Sequence, residues 1–233
     1  VNVLVRIMRC AAVKVYYLFH KRREQVAIEG FPDARALARL KEVKGMRMPD
    51  NIHIPEDLQD AARFHGHLCP GLAIGYRATR AALERMGLGR SRDEELVCVV
   101  ENDSCSVDAV QYLAGCTFGK GNLVFRDYGK QVFTFASRSR PGRGIRVSLR
   151  ADAFPPPGDE DPVARREKAL RRLLEAPVED LFRVEEVDFQ LPEEASIYPS
   201  LPCERCGEPT MQTRLVEVDG KRLCIPCSEA VRS

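Results

Sequence analysis

Residues 94–116 read EELVCVVENDSCSVDAVQYLAGC, and the change of period inside this stretch decides the class of fold. The run from Leu96 to Val100 is short, apolar and largely β-branched, as suits a strand buried on both faces. Asn102 to Ser104 offer turn and capping side chains. From Cys105 to Cys116 the apolar residues Val107, Val110, Tyr112, Leu113 and Ala114 give a broad helical face, so the stretch is a strand that turns directly into a helix.

Downstream, NLVFRD (122–127) and QVFTFAS (131–137) are two further strands, and Tyr128-Gly129-Lys130 between them has the length of a hairpin connection. GIRVSLR (144–150) alternates apolar and polar residues as a third. FPPPGDEDP (154–162) is a loop or linker, 163–182 is a charged amphipathic helix broken at Pro177, and VEEVDF (184–189) is a returning strand. Upstream, EDLQDAARF (56–64) is a short helix with carboxylates in its first turn. In GLAIGYRATRAALERMG (71–87), Leu72, Ile74, Tyr76, Thr79, Leu83 and Met86 form the buried side and Arg77, Arg80 and Arg85 face solvent. Pro70 sits in the first turn, where its missing N–H has no partner to lose, so Cys69 lies at the helix N-terminus. Helices interleaved with antiparallel strands specify an α+β domain, an antiparallel sheet with packed helices, rather than a doubly wound sheet.

Of the 233 residues 44% are hydrophobic and 30% charged, which excludes disordered, collagen-like and membrane classes. The net charge of +2 conceals an asymmetry: residues 1–49 hold 11 Lys+Arg against 4 Asp+Glu, and residues 155–197 hold 6 against 12. Three regions follow, a basic N-terminal extension (1–49), the α+β domain (50–197) and a cysteine-rich tail (198–233). The extension opens on Val1, and translation from Met46 or Met48 is one reading of it; a basic amphipathic helix packed on the body is the other. Arg6, Arg9 and Lys14 interrupt its apolar run, so neither a secretory signal nor a membrane span is expected.

Nine cysteines cannot all pair within one chain, and their spacing is that of ligands in a reducing, cytoplasmic compartment. Cys203-x-x-Cys206 and Cys224-x-x-Cys227 flank a hairpin with Asp219-Gly220 at its turn. Four thiolates fill the tetrahedron of a structural Zn²⁺ site, with a rubredoxin-type iron as the alternative. The tail resembles the treble-clef zinc fingers of the DksA and TraR class. Its 5 Lys+Arg balance 5 Asp+Glu, which favours protein contact or structural support over a nucleic-acid partner.

A second constellation lies in FHGHLCPG (64–71), ENDSCSVDA (101–109) and GCTFGKGNLVFRDYGK (115–130). His67 and Cys69 stand at i, i+2 on an extended run and can chelate one ion. The helix N-terminus is expected to favour the Cys69 thiolate, as ligand or as nucleophile. Cys105 and Cys116 on one helix would stand about 16 Å apart and cannot share an ion. The ligand set is therefore His67, Cys69 and Cys105, with His65 and Cys116 in reserve and one coordination position open. Asp103 and Asp108 are candidate acceptors for an imidazole N–H, or helix caps. Lys120, between Gly119 and Gly121, is a candidate anion-binding or catalytic amine beside Cys69 and Cys105, or simply a solvated lysine. Cys98 belongs to the core, and Cys10 to the extension.

FHGHLCPGLAIGYRA, ENDSCSVDAVQYLAGCTFGKGNL and DYGKQVFTF, in this order, resemble the E-subunit family of molybdenum or tungsten formylmethanofuran dehydrogenase, whose members often carry a C-terminal zinc finger. The resemblance covers residues 50–233, most closely 60–137. It implies a Cys/His-lined pocket, a homodimer and zinc in the finger, and it carries over to His67, Cys69, Asp103 and Cys105. The expected function is an accessory metal-binding component of that methanogenic oxidoreductase, partnered by its other subunits, or a stand-alone relative. No pterin-binding catalytic subunit and no ferredoxin-type cysteine run is present. A zinc-finger regulator or ligand sensor and a metal-dependent enzyme are the alternatives.

Overall fold

The computed structural model describes residues 42–43, 46–47, 52–156 and 158–232. The two readings of the N-terminal extension, and Cys10 with them, lie outside the described residues. Strands β1 (Glu42–Val43) and β2 (Met46–Arg47) pair antiparallel ahead of the α+β domain. That domain runs α1 (Glu56–His65), α2 (Pro70–Met86), β3 (Leu96–Val100), α3 (Ser106–Ala114), β4 (Leu123–Phe125), β5 (Val132–Ser137), β6 (Gly142–Leu149), α4 (Pro162–Glu175), α5 (Val178–Leu181) and β7 (Phe182–Phe189). The α+β class is thus borne out.

The sheet order is β4-β3-β5-β6-β7, antiparallel except for the β3–β4 pair. The expected hairpin between 122–127 and 131–137 does not form. β3 lies between them, pairing parallel with β4 and antiparallel with β5. All five residues of β3 are buried, so it takes the interior position, while β4, three residues long, takes the edge. The parallel pair needs a crossover, and α3 supplies it. Asn122, fully buried, fixes the return: its amide donates to the Leu96 carbonyl at 2.8 Å and its side-chain oxygen accepts from Thr117 N–H at 2.9 Å.

α2 packs against α3, α4 and strands β5 to β7. Phe133, Phe135, Phe182, Leu72, Leu170, Leu173 and Val147 form one core with it. Gly75 is what lets α2 approach α3: a Cβ there would lie 2.0 Å from the Ser106 carbonyl oxygen. Arg77 does not face solvent as its helical phase suggested. Its guanidinium donates to the carbonyls of Leu173 and Ala176 at the C-terminal end of α4, a natural seat for a cation. Asp161 caps the other end of α4, accepting from Val163 N–H at 2.9 Å and Ala164 N–H at 3.1 Å, with Pro162 in the first turn. Asp161→Ala is expected to cost about 1 kcal/mol in chemical denaturation, with no change in metal content.

The chain leaves β7 through residues 190–199, held to the body by Arg138, which donates to the Pro192 carbonyl at 3.0 Å. The tail follows as β8 (Ser200–Pro202), β9 (Pro209–Met211), β10 (Leu215–Val218), β11 (Lys221–Cys224) and α6 (Ile225–Arg232). β10 and β11 pair through Asp219 (φ 50°) and Gly220 (φ 73°), the consecutive positive φ angles of a type I′ turn. Among the described residues no helix is long and apolar enough to cross a membrane.

Candidate metal centres

Three helix ends meet at the first centre. α1 terminates at His65 because Gly66 adopts the left-handed conformation (φ 96°), which turns the chain so that the rings of His65 and His67 lie 4.5 Å apart. Cys69 is the N-cap of α2, its sulfur accepting from Leu72 N–H at 3.4 Å. Cys105 occupies the same position on α3. The close approach of α2 and α3 at Gly75 brings the two caps together. Gly71 keeps the space between the sulfurs open, since a Cβ there would lie 3.1 Å from Cβ of Cys105.

One ligand atom from each of His65, His67, Cys69 and Cys105 lies within 4.8 Å of all the others. The three residues ranked first in the sequence are therefore brought together, and His65, held in reserve, joins them. The cluster thus offers four candidate donors where the sequence reading grouped three with one position open. The local signal was His-Gly-His itself, a helix-terminating glycine between two imidazoles.

His65 has a particular polarity. Its Nδ1 lies 2.6 Å from Oδ2 of Asp108, a contact in which the carboxylate accepts and the ring donates from Nδ1, with Nε2 on the opposite side of the ring. Nε2 is buried and has no hydrogen-bond partner among the described residues. A buried polar nitrogen without a partner costs about 1–3 kcal/mol unless something fills it, and a cation among the thiols and the other imidazole would do so. Of the two candidate acceptors, Asp108 makes the imidazole contact and Asp103 is exposed.

Burial reverses one expectation. The Cys69 thiol is pushed up to about 11, chiefly by desolvation and further by Cys105 beside it, against the lowering effect of Leu72 N–H. Without a cation Cys69 is a thiol rather than a standing thiolate, which suits a ligand that gives up its proton to an ion better than a free nucleophile.

Cys116 is not brought to this cluster. It is fully buried, donates to the Leu96 carbonyl at 3.3 Å and is pushed up to about 12 by burial, a core thiol. Cys98 is likewise core. The Lys120 ammonium donates to the carbonyls of Asp93 at 2.8 Å and Arg92 at 3.3 Å, contacts that fasten the loop before β3.

The second centre is the tail. The sulfurs of Cys203, Cys206, Cys224 and Cys227 lie within 4.8 Å of one another. Gly207 (φ 77°) closes the first knuckle by donating to the Cys203 carbonyl at 2.8 Å. Backbone N–H groups of Cys206 and Cys224 converge on the Cys203 sulfur and lower it to about 6, so that thiolate is prepared in advance. Cys227, facing the other three sulfurs, is raised to about 12.

Comparison with known proteins matches both parts of the chain. Residues 64–183 match the family described as FmdE, molybdenum formylmethanofuran dehydrogenase operon. Residues 196–231 match the prokaryotic dksA/traR C4-type zinc finger. A curated relative from Archaeoglobus fulgidus, described as a probable S-adenosyl-L-methionine-binding protein, is 33% identical over 193 positions, covering 72% of this chain and 51% of that protein. The chain thus spans about half the length of that relative. A solved FmdE-like protein of tungsten formylmethanofuran dehydrogenase type from Syntrophus aciditrophicus shares the fold, with a TM-score of 0.58 and 23% identity over 76% of this chain and 93% of that one.

Proposed function

From the premise that the chain belongs to the FmdE, molybdenum formylmethanofuran dehydrogenase operon, family, we propose that it is a two-metal accessory protein. In this reading His65, His67, Cys69 and Cys105 hold one transition-metal ion inside the α+β domain, and the four tail cysteines hold a structural Zn²⁺. The observation that carries it is the gathering of His65, His67, Cys69 and Cys105, together with a buried His65 Nε2 that has no partner among the described residues while Asp108 holds Nδ1. Two sulfurs and two nitrogens suit Zn²⁺ or a neighbouring first-row ion.

Four candidate donors and the raised Cys69 thiol favour holding or handing over an ion above hydrolysis or nucleophilic attack. An ion bound there would act as a structural or transferable centre. Asp108 would keep the His65 proton on Nδ1, and the Leu72 N–H would support the charge of Cys69. The biological setting we propose is a cytoplasmic homodimer working beside a molybdenum or tungsten dehydrogenase, with the finger presenting a protein-binding surface. The finger's exposed Tyr198, Met211 and Ile225 and its balanced charge fit a protein partner better than a phosphate backbone.

Metal analysis of the purified chain tests this reading. Two ions per chain are expected, falling to one in Cys69→Ala and in Cys105→Ala. One ion per chain that neither substitution alters would overturn it. Asp108→Ala is expected to weaken the α+β-domain ion about 10–100-fold while the finger ion stays in place, read by competition with a chromogenic chelator. Co-purification with a molybdenum or tungsten enzyme supports the setting, and salt-sensitive DNA binding would move the function to the regulator class.

A further inference from the structure

Cys105 is flanked by two serines whose hydroxyls are engaged within the protein. Ser106 is fully buried, Asn102 nearly so, and both belong to a closed polar ring with Ser104 and Gln131. The Asn102 side-chain oxygen accepts from Ser104 N–H at 3.1 Å and from the Ser104 hydroxyl at 2.8 Å, and the Ser106 hydroxyl lies 3.1 Å from it. The Asn102 amide donates to the Lys130 carbonyl at 2.7 Å. The Gln131 amide donates to the Ser104 hydroxyl at 2.9 Å, and its carbonyl oxygen lies 3.1 Å from the Ser106 hydroxyl. Each side chain of the ring therefore has at least one partner within reach, as a buried polar network requires.

The ring ties both neighbours of Cys105 to the segment that opens β5. Lys130 itself is held to the end of β3 through its N–H to the Glu101 carbonyl at 2.9 Å. Meanwhile Cys105, although the N-cap of α3, makes no capping hydrogen bond with its own side chain. The Ser104 and Ser106 hydroxyls are taken up by the side chains of Asn102 and Gln131, while the Cys105 sulfur lies beside Cys69. A cap residue that spent its sulfur on the helix, as Cys69 does through Leu72, would hold its position by itself; Cys105 needs another support.

We infer that Asn102 and Gln131 are positioning residues for the metal centre of the α+β domain, holding the Cys105 sulfur opposite Cys69 before any ion arrives. This rests on the metal-binding reading proposed above and assigns the centre a pre-formed half. Neither residue touches the ion. Their effect passes through Ser104 and Ser106 to the cap cysteine whose sulfur makes no bond to its own helix.

The test is a titration of the metal-free full-length chain with Co²⁺, read by thiolate-to-cobalt charge transfer and by ligand-field bands. Wild type should fill two sites per chain, one from the finger and one from the two-sulfur, two-nitrogen centre. Asn102→Ala should leave the finger step unchanged and weaken the other about 10–100-fold, with its charge-transfer intensity reduced toward that of a single thiolate. Asn102→Asp, which keeps the accepting oxygen but loses the donor to the Lys130 carbonyl, should weaken the same step as well. Gln131→Ala, at a half-buried position, should weaken the same step, which keeps the test decisive if Asn102→Ala folds poorly. Wild-type affinity and intensity in both alanine variants would overturn the inference while leaving the metal site standing. A wild type with the finger step alone would remove the metal site and this inference together.

Discussion

Gly75→Ala is expected to destroy the α+β domain's packing, at a cost of more than about 4 kcal/mol. A Cβ at this position would meet the Ser106 carbonyl oxygen at 2.0 Å and the Ser106 Cα and carbonyl carbon at 2.7 Å. All three atoms are backbone, so no side-chain rotation relieves the clash. α2 and α3 would have to separate, and with them the caps that carry Cys69 and Cys105. Loss of the domain's metal and loss of stability should therefore arrive together. Gly89→Ala is the control: nothing lies within 4 Å of its built Cβ, and it should melt within about 0.5 kcal/mol of wild type. Equal melting of the two variants would contradict the packing described here.

Stripping the metal should unfold the tail and spare the rest. The tail's buried apolar cluster consists of Cys203, Leu223 and Cys224, with Val218 and Cys227 packed on it, so most of its core is also its ligand set. Structural zinc sites contribute roughly 10–16 kcal/mol of apparent binding free energy, and little else here could replace that. The α+β domain instead has Phe133, Phe135, Phe182 and several fully buried leucines in one core. After chelation, limited proteolysis should cut within residues 198–233 while the remainder keeps a cooperative melt. A tail that stays protected would show that it folds without its ion.

The parts of this architecture readable in the sequence were those set by local period. Leu96–Val100 is apolar throughout and is a buried strand; Pro70 behind Cys69 is a helix start; Asp219-Gly220 is a hairpin turn. The hairpin expected at 128–130 had correct strands and the wrong neighbours, because the intruding β3 comes from twenty-odd residues earlier and pairing at that range leaves no mark in the turn. Arg77 shows the same limit, since the α4 carbonyls it reaches lie nearly a hundred residues away.

The candidate site was legible to a similar depth. His67, Cys69 and Cys105 could be grouped because a helix keeps Cys105 and Cys116 apart along its axis. Choosing His65 over Cys116 as the fourth donor required the left-handed turn at Gly66 and the burial of Cys116, both of them properties of the folded chain. The Cys69 thiol departs from expectation for a related reason. The helix N-terminus that lowers it is visible in the sequence, whereas the desolvation that outweighs this effect is not.

X-ray absorption on the intact, zinc-loaded chain separates one metal centre from two, because it counts sulfur and nitrogen neighbours in both at once. Two ions per chain are expected, with an average shell of three sulfurs at about 2.3 Å and one nitrogen at about 2.0–2.1 Å. One ion per chain surrounded by four sulfurs would contradict this, leaving a finger attached to a domain whose histidines and cysteines hold no metal.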